Sequence, residues 1–469
     1  MHAGSSFAFG ASDIHRVLHT GDEPAVSGPS AGLPRADAVP WRAMGLAVTG
    51  PLRREVARTL PSRPFALRFW DGSELPATEN GAPGAPGPTF TVRSPRAVGH
   101  ALRAPGQLGL GRAYVAGELE VDDIDAVMRL LDTWQAPPLD GRDRVRLLLA
   151  AVAAMGVTLP PKPPASELAP RGARHSRERD ARAVRHHYDV SNDFFALFLG
   201  PTMTYSCAVF SRGATTLEDA QEAKLELVCA KLGLRAGERV LDVGCGWGAF
   251  ALHAAAHHGV HVTGITLSPA QAALARQRVE AAGLGDKVDI RLADYRELEA
   301  EPFDAIASIG MVEHVGEVQI DVYAARLAAL LKPGGRLLNH GITRQRHSDP
   351  AAGDFSERYV FPDAEPLHLS RVLLALERAG FVTQHVEGFG ADYAETLRHW
   401  AERLDARLDE ATRLAGEERI RVWRLYLRAA RNGFLSGFTG ICQVRAALPG
   451  GPAPAEAPGG AALVRGTQP

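Results

Sequence analysis

Glu313 and His340 are the residues of this chain best placed to move a proton. Glu313 follows the apolar, strand-like run Phe303–Ile309, and His340 lies near the end of a second such run, Arg336–Ile342. At the mouths of neighbouring strands a carboxylate and an imidazole would face each other across a cleft, as titratable groups of a functional site do. Either alone would serve equally well as a helix cap or as half of a surface ion pair. Two at the mouths of neighbouring strands, beside a nucleotide-type turn, are harder to explain that way. That turn is V-L-D-V-G-C-G-W-G, Val240–Gly248. Gly244, Gly246 and Gly248 let the chain bend sharply after a strand and let a ligand approach the backbone, which a Cβ would block. The spacing G-x-G-x-G departs from the dinucleotide fingerprint G-x-G-x-x-G. It argues against NAD or FAD and for a nucleotide-like ligand without a pyrophosphate.

The ends of the next strands refine the ligand. Many α/β nucleotide sites place an acid after the second strand to hold ribose hydroxyls. Here that position reads T-L-S-P-A-Q, Thr266–Gln271, so hydroxyls and an amide would bond a diol without charge. After the third strand, Asp294 would accept from an exocyclic amine and Tyr295 would cover a purine. Two polar-aromatic stretches lie upstream, Arg185–Phe195 and Gly200–Cys207. They show neither a helical nor a strand period and are expected to fold over the cleft as a lid. Cys207 is either an inert buried thiol or ligand-facing, in the company of Tyr205 and Ser206.

These residues need a scaffold, and the pattern supplies one. Arg239–Val243, His261–Leu267, Val288–Leu292, Phe303–Ile309, Arg336–Ile342 and Phe381–Val386 read as strands. Leu217–Leu232, Ala249–His258, Ala270–Ala282, Val318–Leu331 and Arg371–Ala379 read as helices between them, and Ala394–Leu448 as largely helical. Alternation of this kind predicts an α/β doubly wound, mostly parallel sheet. Residues 41–158 form a smaller α+β or mainly helical domain, with a compact glycine-punctuated unit at Gly106–Val121. Residues 1–40 and 449–469 read as disordered. Residues 159–184 form a Pro- and Arg-rich linker, either a solvated connector or a basic arm against anionic headgroups.

Composition narrows the partners. Lys+Arg 52 against Asp+Glu 54 gives no basic field for nucleic acid. The four cysteines show neither C-x-x-C pairs nor a zinc spacing, so no metal site is expected and a reduced compartment fits. Residues 1–20 lack the pattern of a secretory signal. The longest apolar stretch, Leu147–Leu159, is shorter than the roughly 20 residues of a bilayer span.

Six ordered motifs, H-Y-D-V-S-N, M-T-Y-S-C, L-D-V-G-C-G-W-G, G-I-T-L-S-x-x-Q, S-I-G-M-V-E-H-V-G and D-Y-x-x-T-L-x-x-W, closely resemble the cyclopropane fatty acid synthases from Arg185 to about Leu448. The resemblance implies a class I methyltransferase (Rossmann-like) fold and S-adenosylmethionine as cofactor. It implies that Tyr205, Ser206, Gly244, Cys245, Gly246, Thr266, Gln271, Asp294 and Tyr295 hold that cofactor. It implies that Cys207, Glu313, His340, Ile342 and Tyr393 hold a bicarbonate ion, which deprotonates a carbocation on the acyl chain. Tyr188, Phe194, Phe195, Tyr205 and Tyr393 are the aromatic candidates to face that cation. Residues 41–158 resemble, more loosely, the extra domain of the phospholipid-acting members, which engages lipid and supports homodimers. The implied substrate is an unsaturated phospholipid acyl chain, met from the cytoplasm at the inner membrane surface. One departure stands out: the family's cysteine in the stretch matching Leu427–Phe434 is replaced here by Ala429-Ala430. The same site would serve a cyclopropane or a 10-methylene product. A catalytically dead lipid-binding module and a small-molecule methyltransferase are the remaining alternatives.

Overall fold

A computed structural model describes residues 49–78, 87–156, 161–168, 176, 179–180, 182, 191–346 and 354–450. The expected disordered N-terminus, nearly all of the tail, most of the linker and Tyr188 lie outside these residues. The chain divides into two units, with the boundary between Pro164 and Ala165.

The first unit carries a small sheet of β1 (Ala66–Arg68), β2 (Glu74–Leu75), β3 (Thr89–Val92) and β4 (Leu119–Val121) in the order β2-β1-β3-β4. Helices Thr49–Thr59, Pro95–Arg103, Gln107–Val115, Ile124–Thr133 and Gly141–Met155 accompany it. The L-G-L-G segment is thus the body of a helix, ended at Val115 before β4.

The second unit is built on β5 (Arg239–Val243), β6 (His261–Thr266), β7 (Val288–Leu292), β8 (Phe303–Ile309), β9 (Leu331–Arg344), β10 (Val382–Gly388) and β11 (Thr439–Ala447). Their order is β10-β11-β9-β8-β5-β6-β7. The five strands from β9 to β7 pair parallel, and β11 runs antiparallel to both of its neighbours. β5 is buried along nearly its whole length, as a central parallel strand requires. The expected α/β doubly wound sheet is therefore present, with one reversed strand.

That strand corrects the reading of Ala394–Leu448 as largely helical. Helices Gly390–Asp405, Leu408–Ala415 and Glu417–Leu435 occupy most of it, and T-G-I-C-Q-V-R-A-A then forms β11. A short apolar run flanked on both sides by paired strands shows no clean alternation, so its period does not separate it from the helix before it.

Of the two stretches expected to cover the cleft, residues 185–190 lie outside the described residues, Tyr205 and Ser206 of the second line the cleft, and the end of the first is corrected. Asn192–Leu199 is a helix capped by Ser191, whose side chain accepts from the Phe194 amide. Phe194, Phe195 and Phe198 are fully buried. Their ring centroids lie 5.4, 5.4 and 5.6 Å from that of Trp423. Rings packed this way are core, which removes Phe194 and Phe195 as faces for a reacting cation.

Candidate active site

β5 ends at Val243, and the chain turns through Gly244 at φ +78° and Gly246 at φ +54°. An L-residue is strained at either position. The amides of Gly244 and Cys245 both donate to the Ile265 carbonyl of β6, at 3.0 and 2.9 Å, which pins the turn to the sheet. The helix Ala249–His258 starts directly after Gly248. The turn, Thr266, Gln271, Asp294, Tyr295, Tyr205 and Ser206 line one cleft. The sequence-derived cofactor residues are thus brought together.

Their roles are more specific than the motifs suggest. Thr266 donates its hydroxyl to Gln271 Oε1 at 2.8 Å, so the Gln271 amide nitrogen is the group left toward the turn. Asp294 is held by Arg296, whose Nε and Nη2 donate at 2.9 and 2.6 Å. Arg296 is held in turn by Asp180 at 3.0 Å. Tyr295 packs edge-on against Tyr323 at 5.5 Å and is buried, so it lines the cavity and does not fold over it.

Two further residues belong here. Asp242, in the penultimate position of β5, is buried, and its Oδ2 has no hydrogen-bond partner. Burial pushes its carboxyl up to about 7, against the pull of Lys224. Lys224 is itself buried, which brings its ammonium down to about 8, and it donates to Ser206 Oγ at 3.0 Å. A buried acid with an unused acceptor in a ligand cleft suits a cationic ligand. Asp242 was legible as the acid of L-D-V-G. Lys224 carried no signal, because a lysine on an otherwise regular helix reads as surface.

Glu313 and His340 lie at the seam between β8 and β9. Ile309 pairs with His340, and the Gly310 amide donates to the His340 carbonyl at 2.8 Å. Glu313 sits on the single turn Val312–His314 that follows. The Ile342 amide donates to its carboxylate, yet burial dominates and lifts it to about 7. Its Oε2 has no partner. His340 is buried, which holds its imidazole down at about 3, so the ring is neutral.

The tautomer of that ring follows from its neighbours. Lys231 donates to Gln443 Oε1 at 2.6 Å and to Glu387 at 2.5 Å. The Gln443 amide nitrogen therefore faces His340 Nδ1, at 3.2 Å. Nδ1 accepts, and the proton resides on Nε2, which has no partner. Lys231 and Gln443 are thus positioning residues for His340. Gln443→Leu is expected to lower turnover about 10- to 100-fold, the usual cost of losing a group that orients a ligand-bearing histidine. Cofactor affinity should hold steady. Gln443→Glu should instead move the pH profile of turnover, because a carboxylate on Nδ1 raises the basicity of the ring. A pH profile unchanged in Gln443→Glu would contradict the assignment.

Cys207, Tyr393 and Ile342 meet in one cluster with Phe389. Phe389 links them to His340, its ring 6.1 Å from the imidazole and its carbonyl 3.7 Å from the Cys207 sulfur. The Cys207 thiol is fully buried, points to carbonyl oxygens and is pushed well above its usual range, chiefly by burial. It is neutral and not a nucleophile. The segment that carries it is a fixed wall. Asp392 accepts from the amides of Phe210 and Ser211 at 2.6 and 2.7 Å, and Thr396 accepts from Ala208 at 3.0 Å. This is what D-Y-x-x-T is for: its acid and hydroxyl hold the wall while Tyr393 faces Phe434 at 4.7 Å.

A glycine turn at the head of a parallel sheet, a buried acid beside it and an amide after the next strand make a nucleotide-type cleft, and the relatives below make the chain an S-adenosylmethionine-dependent methyltransferase. Residues 175–444 match the family model described as mycolic acid cyclopropane synthetase, and the chain belongs to that family. It is 38% identical over 393 residues to a probable fatty acid methyltransferase of Pseudomonas putida, covering 82% of this chain and 92% of that protein. It is 33% identical over 435 residues to the tuberculostearic acid methyltransferase UfaA1 of Mycobacterium tuberculosis, covering 88% and 96%. It is 35% identical over 330 residues to the cyclopropane-fatty-acyl-phospholipid synthase of Escherichia coli K12, covering 70% and 80%. Among solved structures, the mycolic acid cyclopropane synthase CmaA1 complexed with SAH and CTAB superposes with a TM-score of 0.55 at 34% identity, over 57% of this chain and 98% of that one.

Proposed function

We propose that the protein transfers the methyl carbon of S-adenosylmethionine to the cis double bond of an unsaturated phospholipid acyl chain and closes it to a cyclopropane. The observation that carries this reading is the pair of buried atoms at the β8–β9 seam that have no hydrogen-bond partner among the described residues, Glu313 Oε2 and His340 Nε2. An alkene methylation leaves a cation and needs a base in a dry pocket. A carboxyl lifted to about 7 and a neutral Nε2–H can both donate to a small anion. Bicarbonate bound there would supply that base. Glu313, His340 and the backbone around Ile342 orient it, and Tyr205 and Tyr393 offer ring faces toward the cation. In the balance, a carbon–sulfur bond breaks, two carbon–carbon bonds form and one proton leaves.

The substrate would be met at a membrane surface. Among the described residues no helix is long and apolar enough to cross a membrane. The helix Gly141–Met155 exposes Val145, Leu148, Leu149 and Val152, about half or more of each. Arg142, Arg144 and Arg146 lie on the same helix. An apolar stripe beside arginines suits an anionic lipid interface.

A second reading has its own support. The relative named for tuberculostearic acid matches over 96% of its own length, which favours a methylene-branched product from the same cation. Proton NMR of lipids from a host expressing this chain alone decides. Upfield ring protons are expected. Vinylic methylene protons would establish the second reading, and neither signal would overturn both.

A further inference from the structure

A second cluster lies away from the cleft, between the helix Leu217–Leu232 and the helix Ala249–His258. Cys229 Sγ and one ring nitrogen each of His253 and His258 all lie within 4.8 Å of one another. Glu226, one turn before Cys229, points its Oε2 at both rings, 3.2 Å from His253 Nε2 and 3.0 Å from His258 Nε2. Cys229, His253 and His258 thus present one sulfur and two imidazole nitrogens to a common point, and the Glu226 carboxylate bonds the two rings at its edge.

We propose that Cys229, His253 and His258 bind a Zn²⁺ ion that clamps these two helices together, with the Glu226 carboxylate turning in from its place on the two rings as the fourth, tetrahedral ligand. The donor set is the mixed sulfur–nitrogen–oxygen set zinc takes at structural sites. At zinc–ligand bonds of about 2.0–2.3 Å, adjacent ligand atoms stand about 3.3–3.8 Å apart. Two edges of that tetrahedron are already near this length at 3.0 and 3.2 Å. The sulfur and the two ring nitrogens stand within 4.8 Å of one another, and staggered rotamer changes of these side chains bring the set together. The site has a floor and a mouth. Cys229 is fully buried, whereas the His258 and Glu226 side chains are 21% and 53% exposed, which leaves an entry path. Coordination releases the thiol proton to solvent.

The placement gives the ion a task. One clamped helix carries Lys224, which holds Ser206 in the cofactor cleft, and the other begins at Gly248 of the cofactor turn. A metal here stiffens the turn without touching the ligand. The four ligands come from two separate segments, which is why cysteine spacing along the chain showed no zinc pattern.

The full-length protein, stripped with a chelator and dialysed, is titrated with Zn²⁺ and separately with Co²⁺. One equivalent is expected to bind at micromolar metal, with a rise in melting temperature. The Co²⁺ form should show intense visible bands of four-coordination and a near-ultraviolet thiolate-to-cobalt band. Cys229→Ser should remove the thiolate band. The double variant His253→Gln/His258→Gln, at the more exposed side, should weaken Zn²⁺ binding at least tenfold while keeping the metal-free melting temperature. A wild-type protein that takes up no Zn²⁺ at micromolar concentration overturns the proposal. So does a histidine double variant that binds like wild type, whether or not Cys229→Ser folds.

Discussion

Glu313→Gln should lower turnover by about 10²-fold or more while S-adenosylmethionine binds with unchanged affinity. Glutamine keeps the shape and the acceptor for the Ile342 amide, so the cleft at the glycine turn is undisturbed. What is lost is the carboxyl whose burial lifts it to about 7, and positioned proton-handling groups contribute about 10²–10⁴-fold. The same substitution has an opposite effect on stability. The carboxyl titrates near 4.5 when unfolded and about 7 when folded, so the folded state binds the extra proton between those values. Wild-type stability therefore falls as pH rises through that window. The variant lacks this loss and should be the more stable protein at pH 8, with the gap shrinking toward pH 4. Calorimetric titration with the cofactor, single-turnover kinetics and urea melts at the two pH values check the three parts. Unchanged turnover at saturating cofactor would sink the assignment of Glu313.

Gly341→Ala should be nearly as damaging, for a steric reason. A Cβ at this position would lie 2.1 Å from Val312 Cγ1 and 3.1 Å from Glu313 Oε2. β9 runs directly beneath the turn that carries Glu313, and only a bare backbone fits. The added methyl must push Val312 and Glu313 off the seam. Displacements of about 1 Å at a reacting centre cost about 10²-fold in rate, and overpacking costs about 1–3 kcal/mol in stability. Gly285→Ala, where an added Cβ meets nothing, is the control and should behave as wild type. Near-normal turnover for Gly341→Ala would show that Glu313 tolerates movement and so does not position a reacting group.

Much of this was legible in the chain. The parallel strands and the glycine turn were set by local signals: buried β-branched runs and glycines at alternate positions. The cofactor residues and the Glu313/His340 pair followed, because strand ends in such sheets converge on one edge. What stayed hidden was tertiary in origin. Asn192–Leu199 looked aperiodic because its phenylalanines pack on several sides at once. β11 looked like the end of a helical region. Lys224, Lys231 and Gln443 act from elements far apart in the sequence, and each is unremarkable in its own segment. The role of Asp392 and Thr396 as anchors of the Cys207 wall could be seen only once the wall was placed against their helix.

The reversed strand also sets the order in which this enzyme can come into being. β5 to β9 lie between residues 239 and 344 and pair among themselves, so a growing chain can lay down the cofactor edge early. β11, which brings Gln443 behind His340, is made about a hundred residues later and must insert between strands already synthesised. Long-range pairings of this kind are late and slow events in folding. A nascent chain thus holds the strands that border the glycine-turn cleft before it holds Gln443, the residue that meets His340 Nδ1.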